Sequence, residues 1–219
     1  MNFALAEFAA AAGIAEPEPF AAKCECLREF LEECNRHVNL TRLTGRADFE
    51  LKHAADSLSI FRAFPELLTE PLELADIGCG AGFPSLILAL AAPALRVTAI
   101  DSTGKKTAFV ASAAAHLGLA NVRAVHGRAV ELNCKPEFQR RFAVVTARAV
   151  AASVRIWSEC RNFPAPGGRF IFYKTPAQAE AEMPELRKLK NTRWRITPAF
   201  SLPENAGERC FVVGVRQAE

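Results

Sequence analysis

The sequence has no Cys-x-x-Cys pair, no cysteine-histidine cluster at zinc spacing, no low-complexity tract and no apolar run near the length of a membrane span. Each absence removes a class of protein. Its seven cysteines (Cys24, Cys26, Cys34, Cys79, Cys134, Cys160 and Cys210) are odd in number and scattered, which argues against a disulfide framework or a metal centre. They read as small apolar residues kept in a reducing compartment. A membrane helix needs about 20 consecutive apolar residues, so no membrane partner is expected. Residues 1–13 are alanine-rich, carry Glu7 and lack a basic start, unlike a secretory signal. A cytoplasmic protein is therefore the expectation. Charge of one sign is also scarce: the formal excess is +3, and a polyanionic partner is possible only if the cations gather on one face.

The 219 residues are half hydrophobic, a composition suited to one globular domain with a small extension. Residues 3–12 read as a short helix ended by Gly13. From Phe20, the apolar residues Cys24, Leu27, Phe30, Leu31, Cys34 and Val38 recur at intervals of three and four, the pattern of one buried helical face. Asp48 is a plausible N-cap for a further helix. Beyond residue 70 the pattern changes to strand then helix. Strands are expected over 72–77, 96–100, 121–126, 142–147 and 169–174, with helices over 85–91, 105–117, 151–163 and 177–189. The proline-glycine run 164–168 reads as a turn. Two final β-like runs, 194–200 and 210–216, have no helix between them and should pair antiparallel at one edge. The expectation is thus an α/β, doubly wound Rossmann-like sheet of about seven strands with the last antiparallel. Residues 1–70 would be an N-terminal helical extension, and 71–219 a single compact unit.

The most informative stretch is Leu74-Ala75-Asp76-Ile77-Gly78-Cys79-Gly80-Ala81-Gly82-Phe83-Pro84-Ser85. An apolar strand runs into glycine at every second position and then turns helical. Glycine takes positive φ and lets a ligand approach the main chain, while the next helix offers free N–H groups. The dinucleotide fingerprint fails, because Phe83 stands where its third glycine belongs. A P-loop fails too: in Gly104-Lys105-Lys106-Thr107, Lys106 occupies the hydroxyl position. In a doubly wound sheet the ligand lies beyond the carboxyl ends of the strands. Asp101 closes the second strand, where it can accept two ribose hydroxyls or cap the next helix. Residues 127–131 follow the third strand, where an adenine edge would meet backbone groups. Arg148 ends the fourth strand and needs an anionic partner: a cofactor, RNA, or the carboxylate of Asp76 or Glu131. His53 and Asp56, three apart, are too few for a metal site and suit a hydrogen-bonded pair.

Several motifs together resemble the glucose-inhibited division protein B family, methyltransferases that make 7-methylguanosine in small-subunit ribosomal RNA. They are Asn35-Arg36-x-x-Asn39-Leu40-Thr41, His53-x-x-Asp56-Ser57, the glycine loop through Pro84, Asp101-Ser102-x-Gly104-Lys105-Lys106, Arg148-Ala149, Pro166-Gly167-Gly168, Lys174 and Glu208-Arg209. The resemblance spans Asn35 to Arg216. It implies S-adenosyl-L-methionine as cofactor, bound by Gly78, Gly80, Gly82, Phe83, Asp101, Ser102, Ala129, Val130 and Arg148. It further implies small-subunit ribosomal RNA, or the ribosomal subunit, as partner; nothing in the sequence demands more than a monomer.

Guanine N7 has an in-plane lone pair and no proton, so in-line positioning suffices and no general base is needed. Arg148, Asn39 and Asp56 are the candidate catalytic groups, the last two near the positive charge that develops on the purine. Lys105, Lys106 and Lys174 are the candidate RNA contacts. Further cations cluster at 140–141 and among Arg187, Lys188, Lys190, Arg193 and Arg195. The sequence departs from the family pattern at Val130 (usually glutamate), Ala143 (aspartate), Ser85 and Thr175 (both glycine). A methyltransferase for a small molecule or protein, or a nucleoside-binding regulatory module, are the competing readings.

Overall fold

The computed structural model describes residues 4–41 and 45–217. The chain opens with helices α1 (Leu5–Ala11) and α2 (Pro17–Val38). Pro17 sits at the first position of α2, where its missing N–H costs nothing. Phe20, Cys24, Leu27 and Leu31 form the buried face, as the three-four spacing requires. The start of the expected first helix, Phe3, lies outside the described residues. The helix placed after an Asp48 cap begins earlier: α3 (Arg46–Asp48), a π-helix (Phe49–Ala55) and α4 (Asp56–Ala63) run on without a break, and Asp48 is itself helical.

Strand and helix then alternate through β1 (Glu73–Ile77), α5 (Ser85–Ala91), β2 (Arg96–Asp101), α6 (Gly104–His116), β3 (Val122–His126), α7 (Ala129–Leu132), β4 (Phe142–Arg148), α8 (Ser153–Cys160), β5 (Pro164–Lys174) and α9 (Pro176–Leu186). Three more strands close the chain: β6 (Thr192–Ile196), β7 (Phe200–Ser201) and β8 (Glu208–Arg216). The order is β3-β2-β1-β4-β5-β8-β6, with β7 paired to β8. β1 to β5 are parallel, and β8 is antiparallel to both β5 and β6.

Two local expectations are corrected. The run 164–168 belongs to β5 rather than to a turn, because a register jump against β4 (Phe142 opposite Pro164, Val144 opposite Arg169) absorbs the extra residues. The run 194–200 splits into β6 and β7 around Pro198, which has no N–H for the ladder.

One hydrophobic cluster joins Leu27 and Phe61 of the N-terminal helices to Leu86, Val110 and Val144. The opposite sheet face packs Phe170, Phe172 and Val212 against Ile156, Met183 and Trp194. A half-buried ion pair between Glu66 and Arg169, and a bond from the Tyr173 hydroxyl to the Ser57 carbonyl at 2.9 Å, tie the N-terminal segment to β5. Those helices are thereby held beside the carboxyl ends of the strands. Among the described residues, no helix is long and apolar enough to cross a membrane.

Candidate functional site

β1 delivers Asp76, fully buried, and then the glycine loop. Gly78 has φ +69°, and a Cβ there would lie 2.6 Å from Val150 Cγ2, so only glycine fits. Gly80 has φ +57° but open space around it, since a Cβ would meet nothing nearer than the Gly78 carbonyl at 3.9 Å. The loop is fixed from β2: Asp101 Oδ2 accepts the Gly80 N–H at 3.0 Å and Oδ1 accepts the Thr103 N–H at 2.8 Å. A carboxylate has about four acceptor positions, so Asp101 serves the turn and keeps capacity for a ligand. Burial raises the Asp76 carboxyl to about 6 despite a hydrogen bond from the Ser85 hydroxyl, and its Oδ1 has no partner. The serine that replaces the family's glycine at 85 thus has a role.

A cavity of about 420 Å³ opens at these strand ends, lined by Gly78, Asp101, Ser102, Lys106, Ala129 and Val150 among others. A second, of about 490 Å³, adjoins it across Ala149 and Val150 and is lined by Asp56, Arg148, Tyr173, Lys174, Glu182 and Arg209 among others. Ala149 takes φ +54°, unusual for a residue with a Cβ, and turns the chain between the two cavities.

Arg148 does not pair with Asp76 or Glu131. Its Nη1 donates to Asp56 Oδ2 at 2.9 Å and to the Lys52 carbonyl, and its Nη2 donates to His53 Nδ1 at 3.2 Å. Because a guanidinium only donates, that ring nitrogen must be the unprotonated one. The π-helix and the first residue of α4 supply the geometry, presenting residues 52, 53 and 56 to one arginine. His53 and Asp56 therefore converge on Arg148 rather than forming an isolated pair. Asp56 Oδ1 accepts from Arg209 Nε at 2.9 Å, so both oxygens of this buried carboxylate are engaged by arginines.

Of the remaining sequence candidates, Phe83 is buried behind the loop, stacked on His53 with centroids 4.1 Å apart. Gly82 packs against Leu86, and Val130 is 43% exposed at the start of α7. Asn39 is exposed at the end of α2 in the left-handed region, φ 51°. Lys105 donates to the Val38 carbonyl at 2.9 Å, satisfying the last turn of α2. Lys174 is buried, with its ammonium on Glu182 (2.9 Å) and the Ala151 carbonyl (3.0 Å). Thr175, another departure, N-caps α9 in a capping box with Gln178. Sequence reasoning gave no role to Glu182, Tyr173 or Val150; no local pattern marks them. Arg209 stood in a matched motif without an assigned role.

This strand order, a glycine loop after β1, a carboxylate after β2 and an antiparallel strand inserted next to β5 define a Rossmann-like methyltransferase. Solved structures share the fold: an O-methyltransferase from Bacillus cereus in complex with SAH superposes with a TM-score of 0.60 at 12% identity, covering 88% of this chain and 91% of that one. The family model for rRNA small subunit methyltransferase G (GidB) matches residues 21–197. Ribosomal RNA small subunit methyltransferase G of Limosilactobacillus reuteri is 40% identical over 188 residues, 84% of this chain and 78% of the relative. That of Levilactobacillus brevis is 41% identical over 189 residues, with the same shares. The chain belongs to the rRNA small subunit methyltransferase G family, whose members depend on S-adenosylmethionine. The residues present fit that cofactor: the first cavity is lined by Gly78, whose place a Cβ would fill, and by Asp101, a carboxylate with spare acceptor capacity.

Proposed function

We propose that the protein methylates N7 of a guanine in small-subunit ribosomal RNA, with the cofactor in the first cavity and the guanine in the second. The carrying observation is the state of the carboxylates in the second cavity. Asp56 is held by two arginines. Burial pushes the Glu182 carboxyl up, but hydrogen bonds from Ser153 and Lys174 outweigh it and hold the group below its ordinary value. A general base for work near neutral pH needs a pKa near that pH and a free lone pair. Glu182 lacks that pKa, and Asp56 has each of its oxygens committed to an arginine cation. An acceptor that must lose a proton is poorly served by this cavity, whereas N7 needs only alignment.

S-adenosylmethionine, when bound, supplies an electrophilic methyl on a sulfonium. Gly78, Gly80, Gly82, Asp101, Ser102 and Ala129 hold it, and Phe83 supports the loop from behind. Arg148 and Val150 form the wall that sets donor and acceptor against each other. Asp56 acts by fixing Arg148, and Asn39 faces the substrate side at the end of α2. Lys105 and Lys106 lie where an incoming strand passes the ribose turn, and Lys174 shapes the acceptor cavity from within its ion pair. The enzyme works in the cytoplasm, where ribosomal subunits are made.

The test incubates the protein with methyl-labelled cofactor and small ribosomal subunits lacking the modification, then maps label by chemical strand scission at 7-methylguanosine. Label at a scissile guanine is expected. Label confined to protein or to an exocyclic nitrogen overturns the reading.

A further inference from the structure

A third cavity, of about 280 Å³, opens at the opposite end of the sheet from the glycine loop. β5 and β6 begin there and the antiparallel β8 ends there, with Thr192 opposite Arg216. Arg161, Lys190 and Arg216 line it, and among the described residues that line it there is no carboxylate. The fold builds its walls. Arg216 Nη1 donates to the Pro164 carbonyl at 2.9 Å, the Trp157 indole donates to Thr192 Oγ1 at 3.2 Å, and the Gln217 N–H donates to the Asn191 carbonyl at 3.0 Å. Arg161 and Lys190 stand exposed at the rim. From there the surface continues along β6, where Arg193 and Arg195 are exposed on either side of buried Trp194. Cations gathered around a concave surface with low-dielectric walls focus the field and draw in anions. Guanidinium groups are suited to phosphate oxygens, to which they can donate in pairs.

We propose that this cleft and the β6 edge form a second site for RNA phosphates, remote from the chemistry. The proposal rests on the reading of the protein as a ribosomal RNA methyltransferase. β4 crosses the sheet in seven residues, so at roughly 3.3 Å per residue the two ends lie about 20 Å apart. A fragment that only fills the acceptor cavity cannot span that distance, but a folded ribosomal RNA can. The remote site thereby selects large, structured RNA and leaves methyl transfer itself to the strand ends.

The test compares wild type with the Arg161→Gln/Lys190→Gln double variant, whose altered side chains are exposed and line neither cavity near the glycine loop. Losing two phosphate contacts should weaken binding to full-length small-subunit RNA and to the subunit roughly tenfold near 0.1 M salt. The slope of log K against log salt should fall by about 1.4 to 1.8. Turnover of a short RNA containing the target guanine should stay unchanged. Unaltered affinity and slope for the long RNA would overturn the proposal. So would weakened binding to the subunit with unaltered binding to naked RNA, which would assign the cleft to a ribosomal protein. Filter binding of RNA reads this site without methyl transfer, so a wild-type enzyme that produced no 7-methylguanosine would refute the functional reading and leave this one still measurable.

Discussion

Replacing Asp56 by alanine should damage the protein twice, through stability and through the placement of Arg148. The carboxylate is buried and accepts one charge-assisted hydrogen bond from Arg148 and one from Arg209, each 2.9 Å long. Bonds of this kind are worth about 1.5–3 kcal/mol each, and removing one partner of a buried pair costs about 3–5 kcal/mol. The arginine side chains here are 11% and 22% exposed, so water recovers part of that loss. A net cost of about 3 kcal/mol is expected, less than the usual 5–15 kcal/mol of a folded domain. With a urea m-value near 3 kcal/mol/M the unfolding midpoint should drop by roughly 1 M. The Lys52 carbonyl and His53 still hold Arg148, but without its anion the guanidinium is free to shift. A displacement of about 1 Å can cost a hundredfold in rate. Single-turnover methyl transfer should fall by that order, while cofactor affinity, measured by calorimetry, stays within about twofold because Asp56 lines only the second cavity. An Asp56→Ala protein with an unchanged midpoint and turnover within twofold of wild type would refute the claim that this carboxylate holds the two arginines.

Gly78→Ala forces a side chain into φ +69° and against Val150, costing about 1–2 kcal/mol from the backbone alone; cofactor affinity by calorimetry should fall at least tenfold, and a wild-type value would show that the cradle adapts. Asp101→Asn keeps the shape but weakens the bonds to the Gly80 and Thr103 N–H groups. Loss of a charged acceptor should raise the cofactor Kd about 10- to 100-fold, and the result to look for against it is an unchanged titration. Asp76 gives a pH signature. Its folded value, about 6, exceeds its ordinary 3.8, so the native state holds the proton more tightly than the unfolded chain. Stability from this carboxyl is complete below pH 3.8 and is lost as the pH rises to about 6, by roughly 3 kcal/mol in all. In urea titrations at several pH values, the wild-type minus Asp76→Asn difference should follow that curve; a flat difference would remove the buried carboxyl as its source. Tyr173→Phe deletes the bond to the Ser57 carbonyl and should cost about 1 kcal/mol of stability with little change in turnover, which separates a structural hydroxyl from a catalytic one.

The glycine loop, the Asp101 turn and the alternation of strand and helix were readable in the sequence because their causes are local. Positive φ selects glycine, a strand followed by a helix buries periodic apolar residues, and the residue types announce both. The motif series also carried the family, since its order and spacing survive in one dimension. Tertiary structure alone decided the rest. Asp56 meets Arg148 92 positions onward and Arg209 153 positions onward, and no local pattern encodes a carboxylate shared over such separations. Insertion of β8 between β5 and β6 likewise follows from sheet packing, as does the gathering of Arg161, Lys190 and Arg216 from three separate elements. Local chemistry thus determined the glycine turn and the carboxylate at the end of β2, because turns and strand ends are specified residue by residue. The ion pairs and cavities around Arg148 exist only once distant segments pack, because side-chain contact depends on distance in space and not along the chain.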